Sequence, residues 1–174
     1  MTLVIVHHHL RPGGIRRIIE LATRHLVRES PCPVTRVVLA TGERADRRWH
    51  GRFAQQLRSV PVQLIVEPSF NYLSEQRRSS WRVTARIRRA LSALFAHAGA
   101  GNCLVWAHNL GVGRNLLLSR ELAAACAARN IPLLSHHHDW WFDNRWARWR
   151  ELRRSGFRTL AAVARAVFPE RGGH

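Results

Sequence analysis

At 174 residues, with 46% hydrophobic residues and no apolar stretch near the length that spans a bilayer, the chain is sized for one globular domain. Its formal net charge is +17, and all 28 basic side chains are arginine. A dedicated nucleic-acid surface usually mixes lysine with arginine, and no zinc finger or aromatic RNA-binding motif accompanies the charge, so nucleic acid is not an expected partner.

The remaining readings of the charge are a solvated arginine-rich surface from biased composition, then attraction to an anionic lipid surface. Three cysteines, Cys32, Cys103 and Cys126, are scattered without CxxC spacing. That pattern suggests free thiols in a reducing cytoplasm. The opening "TLVIV" is too short, and lacks the charged leader, for a secretory signal.

In chain order, "TLVIVHH" (2–8) reads as a strand stopped by "RPGG". A helical period runs from Ile15 to Val27 and ends at "SPCP". "VTRVVLA" (34–40) and "VQLIVE" (62–67) are strands around a short helix at "WHGRFAQQLR". A long helix is expected from about Ser74 to His97, and another from about Val112 to Arg129. The latter lies between the strands "NCLVWA" (102–107) and "IPLLSHH" (131–137). A final helix, rich in arginine and tryptophan, is expected from about Asp143 to Phe168.

This alternation predicts a doubly wound, Rossmann-like α/β domain, with a parallel sheet and helices on both faces. The near-continuous apolar strands fit a sheet covered on both sides. With strand order 3-2-1-4-5, the first and fourth strands flank the point where the order reverses, and ligands bind at the carboxyl ends there. Three histidine clusters fall at those ends: His7, His8 and His9; His108 with Asn109; and His136, His137 and His138 with Asp139. Because side chains alternate, His136 and His138 should share one face and His137 the other.

A metal site would need three or four ligands in fixed geometry. HExxH and the other recognised spacings are missing, so no residue is assigned to a metal. Single histidines could simply cap their strands. As a group they better suit a polar crevice that exchanges hydrogen bonds with hydroxyls and phosphates.

Gly13 and Gly14 add to that reading, since bare amides at a helix start favour an anion such as a diphosphate, and Arg16 and Arg17 add full charges. "GVGRN" (111–115) begins like GxGxxG, but Leu116 occupies the third glycine's place and no acidic residue follows at ribose-binding distance. Dinucleotide binding is a poor fit.

"VIVHHHLRPGGIRRIIELA", "VWAHNLGVGRN" and "LLSHHHDWWF" together resemble the N-terminal domain of GT-B glycosyltransferases, family four in particular. The resemblance runs over nearly the whole chain. It implies sugar transfer, with retention of configuration, from a nucleotide-sugar donor to a glycan or lipid-linked acceptor. No cofactor would be permanently bound. Gly13 and Gly14 would line the cleft near the diphosphate; His108 would contact the transferred sugar, and His138 and Asp139 the sugar or acceptor. Arg16, Asn109 and Trp140 complete the expected substrate-binding set. The family commonly carries an acidic residue two positions after Gly-Gly, where this chain has Arg16.

Residues 1–174 are expected to form the acceptor-side domain, incomplete at its C-terminal end. The family's second Rossmann-like domain, with most of the nucleotide contacts, would be the missing partner, and this half alone is expected not to catalyse transfer. The alternatives are a non-catalytic sugar- or lipid-binding module acting with a partner chain, and a metal-dependent hydrolase.

Arg78, Arg82, Arg86 and Arg89 face away from Val83, Ile87, Leu91, Leu94 and Phe95 on the long helix. The bland reading is a sheet-covering helix with a solvated face. The other is peripheral contact with the inner face of the plasma membrane by an otherwise cytoplasmic protein. Trp140 and Trp141 lie beside the crevice, whereas Trp146 and Trp149 are expected to pack inward or against the missing domain.

Overall fold

The computed structural model describes residues 1–58, 60–96, 101–140, 142 and 149–169. Five parallel strands, β1 (Thr2–Val6), β2 (Arg36–Thr41), β3 (Val62–Val66), β4 (Cys103–His108) and β5 (Leu133–His136), form one sheet in the order β3-β2-β1-β4-β5. The central strands β1, β2 and β4 are almost wholly buried, while the edge strands β3 and β5 are partly exposed. Period-two alternation divides their side chains between two cores. Leu3, Ile5, Val37, Leu39 and Trp106 face one layer, containing α1 (Gly14–Glu29) and α2 (Arg47–Gln56). Val4, Val6, Val38, Val105 and Leu133 face the other, which holds α3 (Ser80–Leu94), α4 (Leu116–Ala127), α5 (Trp149–Arg154) and α6 (Leu160–Val167). The doubly wound α/β reading holds, with its expected strand order.

Three helices differ from the sequence expectation, each for a local reason. The segment from Ser74 is not continuous helix: Leu73–Glu75 forms one 3-10 turn and α3 begins only at Ser80. After β4, Leu110–Val112 forms a 3-10 turn and Gly113 takes a left-handed φ of 77°. Helix α4 therefore starts at Leu116, capped by Asn115 Oδ1 accepting from Leu118 N at 3.1 Å. The single helix expected up to Phe168 is broken at Gly156, φ 96°, and Thr159 Oγ1 caps α6 by accepting from Ala162 N at 3.1 Å. Trp141, Asp143 and Trp146, like His97, lie outside the described residues.

The α3 apolar face, Val83, Ile87 and Leu91, is buried against the sheet, as the bland reading of that helix requires. Part of its basic face is neutralised: Arg86 pairs with Glu67 at 2.9 Å and Arg88 with Glu121 at 2.6 Å. Among the described residues, no helix is long and apolar enough to cross a membrane. All three cysteines are free thiols.

Candidate functional site

The carboxyl ends of β1 and β4 lie side by side, in register from Thr2 opposite Cys103 to Val6 opposite Ala107. Chain order reverses here, so the two connections leave in opposite directions and open a crevice. His7 clips its two walls together by donating from Nδ1 to the His108 carbonyl at 2.8 Å. His8 donates from Nδ1 to the Phe70 carbonyl at 2.9 Å. Both rings are buried, so these two histidines are strand-end donors to backbone, as the capping alternative holds. Burial pushes the His7 imidazole well below its ordinary pKa and lowers His8 to about 4. His9 is only half buried, and Tyr72 Oη lies 2.9 Å from its Nε2. Its pKa is lowered by desolvation first and then by Arg11.

The second and third clusters join. His108 stands opposite His136 in the β4–β5 ladder, and His138 follows on the same face two residues later. The His136 and His138 rings stack with centroids 4.4 Å apart, and His108 Nδ1 lies 3.5 Å from His138 Nε2. Trp106, two residues before His108 and so on the same face, packs beneath them with its centroid 4.1 Å from that of His108. His108 is 0% exposed, whereas His136 and His138 are partly open to solvent. Desolvation and the neighbouring imidazoles lower His108 to about 3, and desolvation followed by His136 lowers His138. Burial and the neighbouring rings therefore disfavour a charge on His108 and on His138.

Asn109 ties β4 to the segment after β5. Its Oδ1 accepts from the amides of His138 and Asp139 at 3.3 and 3.0 Å, and its Nδ2 donates to Asp139 Oδ2 at 3.0 Å. Asn109 takes a left-handed φ of 53°, which asparagine tolerates better than most residues. His108, Asn109, His138 and Asp139 thus form one connected group.

The other expected site residues are placed differently. Gly13 and Gly14 are exposed at the start of α1, which has no side-chain cap, and a Cβ at either would meet nothing within 4 Å. Close packing therefore does not require these glycines. The Arg16 guanidinium lies over the Trp49 ring, 5.5 Å from its centroid, and Arg17 pairs with Glu20 at 3.4 Å. Both charges are engaged within the α1–α2 layer. Trp140 stacks on His137 at 4.4 Å and on Phe168 at 5.0 Å, and with them it lines a cavity that Trp106 and His136 also border. Trp149 is partly buried against the α3–α6 core, as expected of it.

The glycines of "GVGRN" have steric duties. A Cβ on Gly111 would lie 2.6 Å from His137 Nδ1, and Gly113 supplies the positive φ already described. Packing against His137 and turn geometry account for both glycines.

Sequence reasoning missed the opposite rim. Arg11 forms a two-pronged pair with Glu43, at 2.8 and 2.7 Å, and reaches Glu75 at 3.6 Å. The Arg114 guanidinium lies 4.9 Å from the Tyr72 ring centroid. Tyr72 carries no motif and Arg114 lies in "GVGRN" without a role assigned to it, and the fold brings both beside His9.

No protein-family model matches the chain, and the search of curated proteins found no match to it. The site's chemistry therefore stands on its own geometry: imidazoles, an amide–carboxylate pair and open helix-start amides at one edge of a parallel sheet.

Proposed function

We propose that this chain is the acceptor-side domain of a glycosyltransferase, using a nucleotide-sugar donor and a glycan or lipid-linked acceptor. The observation that carries this reading is the position of the connected His108–Asn109–His138–Asp139 group. It lies at the carboxyl edge of the sheet, where chain order reverses and where α1 begins with the uncapped amides of Gly13 and Gly14. Neutral imidazole, amide and carboxylate groups suit sugar hydroxyls, which both donate and accept. Open amides at a helix start suit a diphosphate.

In this reading Asn109 orients Asp139 and the backbone of His138, and His138 and Asp139 meet the sugar or acceptor. His108 acts through His138, because it is wholly buried behind that ring. A partner Rossmann-like domain would supply the remaining nucleotide contacts. Exposed arginines of α3, with Trp81 67% exposed at its first turn, would contact an anionic membrane surface.

The burial of His108 and the engagement of Asp139 by Asn109 favour a second reading, a sugar- or lipid-binding module without catalysis of its own.

Calorimetric titration with a panel of nucleotide-sugars, alongside a donor-turnover assay, separates these readings. Binding weakened at least tenfold by Gly14→Ala, whose added methyl has free space in the fold, supports the donor site. Turnover by the 174-residue chain excludes the non-catalytic module. Absence of binding to donors and to acceptor glycans alike overturns the proposal. Co-sedimentation with liposomes that does not change with anionic lipid content removes the membrane contact.

A further inference from the structure

We propose that His108, His136 and His138 form a binding site for one imidazole-preferring divalent cation of the zinc class, with a fourth coordination position open on the solvent side. The inference concerns side-chain positions alone and does not depend on the sugar-transfer reading, which leaves His136 without a role.

One ring nitrogen from each of the three histidines lies within 4.8 Å of the others. A point equidistant from three atoms at that limiting spacing is roughly 2.8 Å from each, against about 2.0–2.1 Å for a zinc–imidazole bond. Closing the gap takes less than about 1 Å of movement per ring. His108 Nδ1 and His138 Nε2, 3.5 Å apart, are already near the roughly 3.4 Å that two ligands of a tetrahedral zinc ion show. His136 and His138 are partly exposed and can make the adjustment by side-chain rotation, while His108 is held fixed behind them.

A second observation is independent of the spacing. His108 is fully buried, yet its Nδ1 faces only another imidazole, and its Nε2 meets no hydrogen-bond partner among the described residues. A metal bonded through Nδ1 would replace that weak ring–ring contact, while Nε2 would still have no acceptor among the described residues.

The donor set selects the class of cation. Three imidazoles suit zinc, copper or nickel; magnesium and calcium require oxygen ligands, and the adjacent Asp139 carboxylate is held by Asn109. Three protein ligands with one open side match the arrangement in which zinc keeps water or a substrate oxygen as its fourth ligand. The strands supply the rigidity: His108 and His136 are paired across the β4–β5 ladder, and the Trp106 ring lies 5.9 Å from His136, nearly parallel to it. No linear spacing in the sequence encodes this, since two ligands come from one strand end and the third from the neighbouring strand.

The test uses the full chain, prepared without a polyhistidine tag and stripped with a chelator. Zinc uptake is measured by equilibrium dialysis and metal analysis, and cobalt is substituted to read its visible spectrum. The wild type is expected to bind about one ion per chain and, with cobalt, to show the intense bands of a tetrahedral nitrogen site. His136→Asn and His138→Asn, at partly exposed positions, are each expected to weaken binding at least tenfold while the circular dichroism of the metal-free protein is unchanged. His50→Asn and Cys32→Ser should bind as the wild type does. Failure of the wild type to take up zinc at micromolar concentration overturns the proposal. So does uptake that survives both His136→Asn and His138→Asn, or that disappears with Cys32→Ser.

Discussion

Lowering the pH from 7 to 5 should destabilise this fold, with His8 as a principal cause. The His8 ring is 0% exposed, donates its single proton to the Phe70 carbonyl, and has a folded pKa of about 4 against an ordinary 6.5. The unfolded chain therefore binds the second proton more tightly than the folded one. Stability that depends on neutral His8 is intact above pH 6.5 and is lost as pH falls toward 4. A shift from 6.5 to about 4 is worth about 3 kcal/mol in full, of which about 2 kcal/mol is lost between pH 7 and pH 5. His7 and His108, also buried, shift in the same direction, His108 to about 3, and extend the loss to lower pH. Against a typical domain stability of about 5–15 kcal/mol, these groups together bring acid unfolding into the range of pH 4 to 5.

The assay is urea unfolding followed by tryptophan fluorescence at half-unit intervals from pH 7.5 to 4.5, for the wild type and His8→Asn, whose amide can donate to the same carbonyl. The variant should lose up to one proton's worth of slope in the plot of stability against pH. Parallel curves for the two proteins, or a flat wild-type curve between pH 6.5 and 4.5, would refute the reasoning.

Asn109→Ala removes three hydrogen bonds and leaves alanine in a left-handed conformation, so urea unfolding should show a loss of about 3 kcal/mol. Asn109→Gly should recover about 1 kcal/mol of that, and equal midpoints for all three proteins would contradict the assigned network. Glu121, 6% exposed, is held by Arg88 at 2.6 Å and Arg120 at 2.8 Å. Replacing both arginines by alanine leaves the carboxylate without a partner and should lower the thermal midpoint more than Glu121→Ala, which leaves two arginines able to reach water. The reverse order in thermal unfolding would show that the carboxylate is solvated. Only exposed Cys32 should react quickly with a thiol reagent in the native protein. Cys103 and Cys126 are buried, with thiols raised to about 11 and about 12 by desolvation, and should react only on unfolding; rapid modification of all three would show an open core.

Composition and periodicity alone determined the α/β architecture, because apolar runs of strand length and helical periods are local consequences of which faces must be buried. They also placed three histidine clusters at the carboxyl ends of β1, β4 and β5, since parallel strands with helical crossovers must all point one way. The alternation rule by itself separates His137 from His136 and His138. It could not tell that His7 and His8 spend their protons on backbone carbonyls, because their acceptors, at His108 and Phe70, lie 101 and 62 residues away. Nor could it show Arg16 drawn onto Trp49, or Trp140 turned onto Phe168. Those positions follow from which long side chain finds an aromatic face once the layers pack. The helix breaks at Gly113 and Gly156 were visible only as isolated glycines, whose left-handed geometry is settled by the turn that follows. The imidazole trio was the furthest from view. Its members become neighbours only through the hydrogen-bonded register of β4 against β5, and that register is a property of the sheet, not of either strand.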